Sequence, residues 1–189
     1  MILGNIKDFD WYNEPENVSF TESGLQIIAQ EYTDFWQNTD KGFAKDNGHF
    51  FASTRNDNFV FVCKWFFEEV IDSAQCGAMV RVDEHNWIKI GLLSSNIYNP
   101  QIGEVVAIQG SSDWSITNIN SSFKTVWFKI KRCEQDFVLS YSLDGKTFHI
   151  TRIIHMSKAR DILKIGAYAC SPKETPFECV LEEISISNL

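Results

Sequence analysis

Residues 58–67 read NFVFVCKWFF and are the clearest sign of secondary structure in the chain. Phe59, Phe61 and Trp65 fall at alternate positions, and the positions between them are apolar except for Lys64. Successive side chains of a strand point to opposite faces, so an apolar pattern on both sides is typical of a strand covered on both faces. The segment therefore predicts a central strand of a β-sheet.

The segment 78–93, AMVRVDEHNWIKIGLL, alternates in the same way around a polar break. One parity holds the aliphatic residues Val80, Val82, Ile88, Ile90 and Leu92. The other parity holds Arg81, Trp87 and Lys89. Two strands joined by a short polar turn explain the pattern, and cross-strand neighbours point the same way. We therefore expect Arg81 to lie opposite Trp87 or Lys89, on the face that the aliphatic side chains avoid.

The second half of the chain contains further alternating segments. They are VWFKIKR at 126–132, FVLSYSLDGKTFHITRI at 137–153, LKIGAYACS at 163–171, and the stretch 177–186. In the last of these the apolar parity changes between Leu181 and Ile184, which predicts a β-bulge near Glu182 and Glu183. Helical patterns are almost absent. The sequence predicts an all-β fold, with residues 1–189 forming a single antiparallel β-sandwich domain with two sheets and at most one or two short helices.

Charge and composition argue against several classes of partner. The chain has 189 residues and a formal net charge of −8 at pH 7. An acidic chain repels polyanions, and the densest basic run, KIKR at 129–132, alternates like a strand, so no nucleic-acid partner is expected. No 18 apolar residues run together, so no membrane association is expected.

The cysteines and the first residues of the chain give an expectation of the cellular compartment. The five cysteines are an odd number without close spacing, and the first residues lack the basic and apolar regions of a secretory signal. We therefore expect a cytoplasmic protein with free thiols. The four histidines lack metal-ligand spacing, and no phosphate-binding or dinucleotide-binding glycine motif occurs, so neither a metal nor a cofactor is predicted.

Seven short strings, in order along the chain, resemble one known family. They are NEP at 13–15, TDFWQNT at 33–39, DNGHF at 46–50, MVRVDEHNWIKIG at 79–91, SDWS at 112–115, SLDGKTF at 142–148 and GAYACSP at 166–172. Together they resemble the regulation-of-enolase protein family, a group related to concanavalin A-like lectins and glucanases. The resemblance implies a two-sheet jelly-roll sandwich with a concave face.

Large aromatic and charged residues at outward strand positions form the first set of candidate ligand-binding residues: Arg81, Trp87, Lys89, Trp127 and Tyr168. Exposed rings beside hydrogen-bonding groups suit a sugar or another polar ring, because the rings stack on apolar faces while hydroxyls pair with polar groups. The alternative is that residues 34–48 lie over these rings and form a second small core.

Two predicted loops supply the second set of candidates. TDFWQNT contributes Asp34 and Trp36, and SDWS contributes Asp113 and Trp114. Loops on a rigid sandwich often carry binding groups. The alternative is that the polar residues stabilise turns and that Trp114 anchors packing.

Catalysis is disfavoured by the pattern of carboxylates. Sandwich glucanases require two carboxylates that flank the scissile bond, in a string such as ExDxxE, and this sequence has none. The leading hypothesis is therefore a non-enzymatic module that binds a carbohydrate-like or other small polar ligand on the concave sheet. Two alternatives remain: an enzyme acting on a sugar or sugar phosphate, with Arg81 and Lys89 holding an anion, and a regulatory protein that binds a metabolic enzyme.

Overall fold

The computed structural model describes residues 2–3, 6–40, 42–94, 100–119 and 122–189. Its strands are β1 Ile2–Leu3, β2 Phe9–Tyr12, β3 Asn17–Phe20, β4 Leu25–Ala29, β5 Phe35–Gln37, β6 Ala44–Asp46, β7 His49–Arg55, β8 Phe59–Phe66, β9 Gln75–Asp83, β10 Asn86–Ser94, β11 Pro100–Ile108, β12 Ser111–Asn118, β13 Thr125–Cys133, β14 Asp136–Ser142, β15 His149–His155, β16 Leu163–Cys170 and β17 Phe177–Asn188. No helix occurs in the described residues, and none there could cross a membrane.

The strands form two large sheets and one small hairpin. The first sheet has the order β15-β14-β13-β8-β17-β4-β3, and the two residues of β1 pair in parallel with β17. The second sheet has the order β12-β11-β10-β9-β16-β7-β2, and β5 and β6 pair with each other in a separate two-stranded sheet. All other strand pairs in the two large sheets are antiparallel. The predicted all-β, two-sheet antiparallel jelly-roll sandwich is confirmed.

The main core lies between the two sheets. Alternate residues of each strand point inward, for example Phe61 and Trp65 of the first sheet and Val80, Ile88 and Ile165 of the second. All five are fully buried. Because each large sheet turns one face to the other, one parity of every central strand loses its contact with water.

Strand β8 is central, as predicted, since it lies between β13 and β17. The expectation that both of its faces are covered is wrong. Phe59 and Phe61 are fully buried, whereas Val60 and Val62 are only half-buried on the outer face of the first sheet. A two-layer sandwich covers each sheet on one side, so the outer apolar side chains are sheltered only by cross-strand neighbours.

The predicted bulge in the last strand is present. The pairing of β17 with β8 shifts register between Leu181 and Glu183. The extra residue lets both Leu181 and Ile184 point into the core. On the outer face, Lys64 forms an ion pair of 2.8 Å with Glu182.

The β9–β10 hairpin also has the predicted register. Arg81 lies opposite Trp87, and Met79 lies opposite Lys89. Their side chains point to the face of the second sheet that is turned away from the first sheet, which we call the distal face. Tyr168 of β16 lies on the same face, because its neighbours in β16 point into the main core.

Candidate functional site

The β5–β6 hairpin lies over part of the distal face and forms a second core with it. The Phe35 ring packs edge-on against Trp87 at 6.3 Å and against Tyr168 at 6.4 Å between ring centroids. Trp87 is fully buried and Tyr168 nearly so. Two of the rings predicted to face a ligand are therefore covered by residues 34–48, as the alternative interpretation proposed. Burial of each large apolar side chain stabilises the fold by about 1.5–3 kcal/mol, which favours this cover over open rings.

Arg81 is the first of two cations that anchor the hairpin. Its guanidinium donates two hydrogen bonds of 2.7 Å to the Asp46 carboxylate. The same guanidinium lies 4.5 Å from the centre of the Tyr12 ring, and the Tyr12 hydroxyl donates to Asp46 at 2.6 Å. Burial, with the neighbouring Asp46 carboxylate, raises the pKa of the Tyr12 phenol, so it donates as a neutral hydroxyl. The role of Arg81 in this contact is structural.

Lys89 is the second anchoring cation. Its ammonium donates to the Phe35 carbonyl at 2.9 Å and lies 3.3 Å from the Asp34 carboxylate. It also lies over the rings of Trp87 and Tyr168, at 5.6 Å and 5.5 Å from their centroids. Only 1% of Lys89 is exposed. A buried ammonium requires such a carboxylate and carbonyl, so Asp34 is the counter-ion of Lys89.

Further contacts attach the hairpin to the turn regions of the second sheet. The Gln37 backbone N–H donates to the Ser112 hydroxyl at 2.9 Å, and the Gln37 side chain donates to the Glu84 carbonyl at 2.8 Å. Asn38 donates to the Gly110 carbonyl at 3.0 Å. The hairpin is thus held at both ends, by Asp34 and Asp46 at its base and by Gln37 and Asn38 near its tip.

A cavity of about 710 Å³ remains beside the hairpin on the distal face. Trp36 and Phe43 of the hairpin line one side, and Trp114 of β12 lines the other. Trp114 is 49% exposed, and the indole N–H of Trp36 donates to the Thr39 carbonyl at 3.0 Å. The arrangement brings the predicted residues Trp36 and Trp114 to one site, with Lys89, Tyr168 and Asp34 in its lining.

Glycines make room for this cavity. Gly91 of β10 lies directly opposite Gly77 of β9 and Gly103 of β11. A Cβ at position 91 would overlap the Tyr168 hydroxyl, and one at 103 would lie 3.5 Å from the Trp114 indole nitrogen. Glycine inside a strand often marks a place where another group approaches closely. Gly103 and Phe43 were not among the sequence-based candidates, although glycines inside predicted strands could have indicated Gly103.

Asp113 also lines the cavity, but its carboxylate takes part in a contact between the two sheets. Its carboxylate accepts a hydrogen bond of 2.8 Å from Arg152 of β15 in the first sheet. Arg152 also bonds the Ser115 hydroxyl, which in turn donates to Glu104 at 2.9 Å. These contacts join the edge strands β12 and β15, so the Asp113 carboxylate already has a partner within the protein.

Trp127 was wrongly grouped with the other candidates. It lies on β13, on the outer face of the first sheet, where its ring covers Gly145 and the Lys64 ammonium lies 4.9 Å above it. Alternation predicts its outward orientation correctly but says nothing about which sheet the strand joins. Trp127 therefore cannot share a site with Arg81, Trp87 and Lys89.

The described residues contain no cluster of three or more metal-ligating side chains. Of the four histidines, which all lie within the described residues, His49 alone is buried, and it serves the fold. Its Nε2 atom accepts from the Gln30 backbone N–H at 3.2 Å, and its Nδ1 atom lies 2.8 Å from the Asn13 carbonyl. Burial lowers the pKa of His49, which is consistent with a neutral ring engaged on both sides.

The fold and cavity define a jelly-roll β-sandwich protein with a candidate ligand site on one sheet. The chain belongs to the family described as "Protein of unknown function (DUF1349)", which matches residues 11–189. It is 28% identical over 180 residues to "Regulation of enolase protein 1" of Saccharomyces cerevisiae, covering 94% of this chain and 88% of the relative. The resemblance predicted from the seven strings is thereby confirmed.

Solved structures show the same architecture. A functionally unknown protein from Saccharomyces cerevisiae has a TM-score of 0.90 and 25% identity, covering 98% of this chain and 99% of that one. The GH43 protein BlXynB of Bacillus licheniformis has a TM-score of 0.73 and 15% identity, covering 96% of this chain but 37% of that one. The carbohydrate-binding module CBM66 from Bacillus subtilis has a TM-score of 0.63 and 11% identity, with full coverage of both chains. The last two similarities concern the fold alone.

Proposed function

We propose that this chain is a non-catalytic binding module that takes a carbohydrate-like or other small polar ligand in the cavity between Trp36 and Trp114. The observation that carries the proposal is the half-exposed Trp114 ring at the edge of the 710 Å³ cavity. Small-molecule sites commonly measure about 300–1,000 Å³ and combine apolar walls with a few polar groups. This cavity has both, with Phe43 and Val105 among its walls and Lys89 and Tyr168 in its lining.

The state of the carboxylates supports binding without hydrolysis. Glycoside hydrolysis requires two carboxyl groups at the scissile bond, one of them free to donate a proton. Of the three aspartates in the cavity lining, Asp34 is paired with Lys89 and Asp113 with Arg152. Asp40 alone among them has no ion pair within the described residues. The fold shared with a carbohydrate-binding module adds a general precedent for binding on such a sandwich.

The proposal is tested by titrating the protein with a panel of soluble glycans and methyl glycosides, using calorimetry and the indole signals of a proton–nitrogen NMR spectrum. Trp114→Ala should weaken binding at least about tenfold, because truncating an aromatic anchor costs roughly 1.4 kcal/mol or more. Phe20→Ala is the matched control, since Phe20 is an exposed ring on edge strand β3 of the other sheet. Equal binding by both variants, or no binding of any glycan by the parent protein, would reject the proposal.

A second candidate function, regulation of a metabolic enzyme by direct contact, is favoured by a patch on the outer face of the first sheet. Ile150 and Ile153 are 65% and 70% exposed. A bulge in the β14–β15 pairing places Ile150 opposite Ser140 and Ile153 opposite Val138, so both isoleucines point to that outer face. A regular strand would put residues three apart on opposite faces.

Charge adds to the case for a partner at this patch. Lys129 and Lys131 of β13 point to the same face, and neither has an ion pair within the described residues. The Lys129 ammonium lies 3.9 Å from the centre of the Phe148 ring, and exposed apolar groups beside such cations suit a local acidic patch on a protein surface. The name of the yeast relative, "Regulation of enolase protein 1", suggests enolase as the enzyme to try first.

Sedimentation velocity of a mixture with yeast enolase tests this second function. Ile153→Asp should abolish a complex that the parent protein forms, because it places an unpaired charge at the centre of the patch. Phe20→Asp, at the opposite edge of the first sheet, should leave that complex intact. Absence of a complex with the parent protein would reject enolase as the partner.

A further inference from the structure

The charges around the cavity are balanced by the protein itself. Three aspartates and three lysines line it: Asp34, Asp40, Asp113, Lys45, Lys89 and Lys173. Lys89 is paired with Asp34, and Lys173 is paired with Asp72 outside the lining. The Lys45 ammonium donates to the Tyr32 carbonyl at 2.8 Å. The two members of the lining that lack ion pairs in the described residues, Asp40 and Lys45, have opposite charges, so the cavity has no net excess of cations.

Arg81 and Lys89 on the distal face are also unavailable to an anion. Arg81 is occupied by both oxygens of Asp46, and Lys89 by Asp34 and the Phe35 carbonyl. Transfer of Lys89 to a phosphate would leave the buried Asp34 carboxylate without its counter-ion, which is strongly unfavourable. The net charge of −8 repels an anionic ligand at longer range. These contacts argue against the earlier hypothesis that Arg81 and Lys89 hold a sugar phosphate.

The Tyr168 hydroxyl is an uncharged polar group in the lining of the cavity. It lies over Gly91 and makes no hydrogen bond to another described residue, although it is not among the fully buried unpartnered atoms of the described residues, which are the Trp87 indole nitrogen and Glu104 Oε1. Tyr168 is only 1% exposed, and burial raises the pKa of its phenol well above the usual range, so the group is a neutral donor and acceptor. Because Tyr168 lines the cavity, a ligand hydroxyl there would give its phenol a hydrogen-bond partner.

We infer that the cavity selects an uncharged, polyhydroxylated ligand and that the Tyr168 hydroxyl bonds one of the ligand's hydroxyl groups. This inference rests on the proposed binding function and names its ligand class. It assigns Tyr168 as a specificity-determining residue, whereas Trp36 and Trp114 supply the apolar faces on which a ring can stack. Arg81 and Lys89 then act only by holding the hairpin that forms one wall.

The test uses the full chain and two matched sets of probes. The neutral set is the methyl glycosides of glucose, galactose, xylose, arabinose and fructose; the charged set is glucose 6-phosphate and glucuronate. We expect binding only from the neutral set, with affinity unchanged between about 20 and 500 mM NaCl, since no ion pair forms with the ligand. Tight, salt-sensitive binding of glucose 6-phosphate in the cavity would overturn the inference while leaving the proposed binding function intact. Failure of every saccharide would reject the proposed function itself.

Tyr168→Phe tests the residue assignment. The variant retains the ring that packs against Phe35 and removes only the hydroxyl, so the thermal midpoint should stay the same or rise. The affinity for the neutral ligand should fall by about 3- to 10-fold, the effect of one lost neutral hydrogen bond. Trp36→Phe, which retains a stacking ring, is the companion variant and should weaken binding less. Unchanged affinity of Tyr168→Phe would overturn the assignment of Tyr168.

Discussion

Arg81 and Asp46 form the two-point ion pair that holds the base of the β5–β6 hairpin against the second sheet, with both hydrogen bonds at 2.7 Å. Asp46→Ala should leave the buried guanidinium without its counter-ion. We expect a loss of about 2–3 kcal/mol in the free energy of unfolding, below the ~3–5 kcal/mol of a fully buried pair because Asp46 is partly exposed. Urea denaturation measures this change.

The control for that prediction is the exposed ion pair between Lys173 and Asp72. Lys173→Ala should change the free energy of unfolding by about 0–1 kcal/mol, because water solvates both charges when they separate. Equal effects of Asp46→Ala and Lys173→Ala would show that the hairpin does not depend on Arg81.

Trp87 is predicted to be a core residue rather than a ligand contact. Trp87→Ala should lower the free energy of unfolding by about 3–5 kcal/mol, because it opens a cavity under Phe35. Trp87→Phe should cost much less, since the indole N–H has no hydrogen-bond partner among the described residues and nothing polar is orphaned. Thermal unfolding of the two variants measures this difference. A Trp87→Ala variant that is as stable as the parent protein but no longer binds the ligand would instead identify Trp87 as a ligand-binding residue.

Gly91 is predicted to tolerate no side chain. A Cβ there would overlap the Tyr168 hydroxyl and lie 2.6 Å from the Cys76 carbonyl oxygen, which belongs to rigid sheet backbone. Gly91→Ala should therefore cost roughly 1–3 kcal/mol. Gly103→Ala is the comparison, because its nearest neighbours are Leu93 Cβ at 3.1 Å and Leu93 Cδ2 at 3.2 Å, which need to shift by only a few tenths of an ångström. The thermal midpoint, measured by circular dichroism, should be well below that of Gly103→Ala for the Gly91→Ala variant. The reverse order would contradict the packing described.

His49 is predicted to make the protein less stable in mild acid. Because burial lowers its native pKa below the unfolded value of about 6.5, the unfolded chain binds the proton first. The stabilising contribution of neutral His49 is complete above about pH 6.5 and is lost as the pH falls through that value towards the native pKa. Urea midpoints measured from about pH 7.5 to 5 should fall in the parent protein and fall less in His49→Gln. His85→Gln, at an exposed position, should keep the parent's pH dependence.

The cysteines are predicted to be five free thiols. Cys133 is exposed, whereas Cys63, Cys76, Cys170 and Cys179 are buried. Burial also raises the pKa of the Cys63, Cys76 and Cys170 thiols, which disfavours the reactive thiolate. A thiol reagent should therefore label one cysteine in the native protein, none in Cys133→Ser, and five in the unfolded, unreduced parent. A count of three in the unfolded parent would reveal a disulfide and argue against a cytoplasmic location.

Local alternation allowed much of the fold to be predicted. The register that places Arg81 opposite Trp87, the inward orientation of Ile88, and the bulge between Leu181 and Glu183 all follow from the two-residue period of a strand. A one-residue slip would move every apolar side chain of a strand to the wrong face, so these features are strongly encoded in short stretches of sequence.

The candidate site was predicted less completely. Trp36, Trp114 and Tyr168 do line one cavity, but Trp127 lies on the other sheet and Asp113 bonds Arg152 across the sandwich. These placements depend on strand order and on contacts between residues far apart in the chain. No periodic pattern carries that information.

The sequence by itself therefore establishes which side chains share a face, because side-chain direction follows from the extended backbone of each strand. Only the tertiary structure establishes that Trp87 and Lys89 are covered while Trp114 is open. That outcome depends on the position of the β5–β6 hairpin over the second sheet. The position is determined by the burial of Phe35 together with the ion pairs that Asp34 and Asp46 form with cations on distant strands. These contacts join residues that are far apart in the chain, so a local sequence pattern cannot specify them.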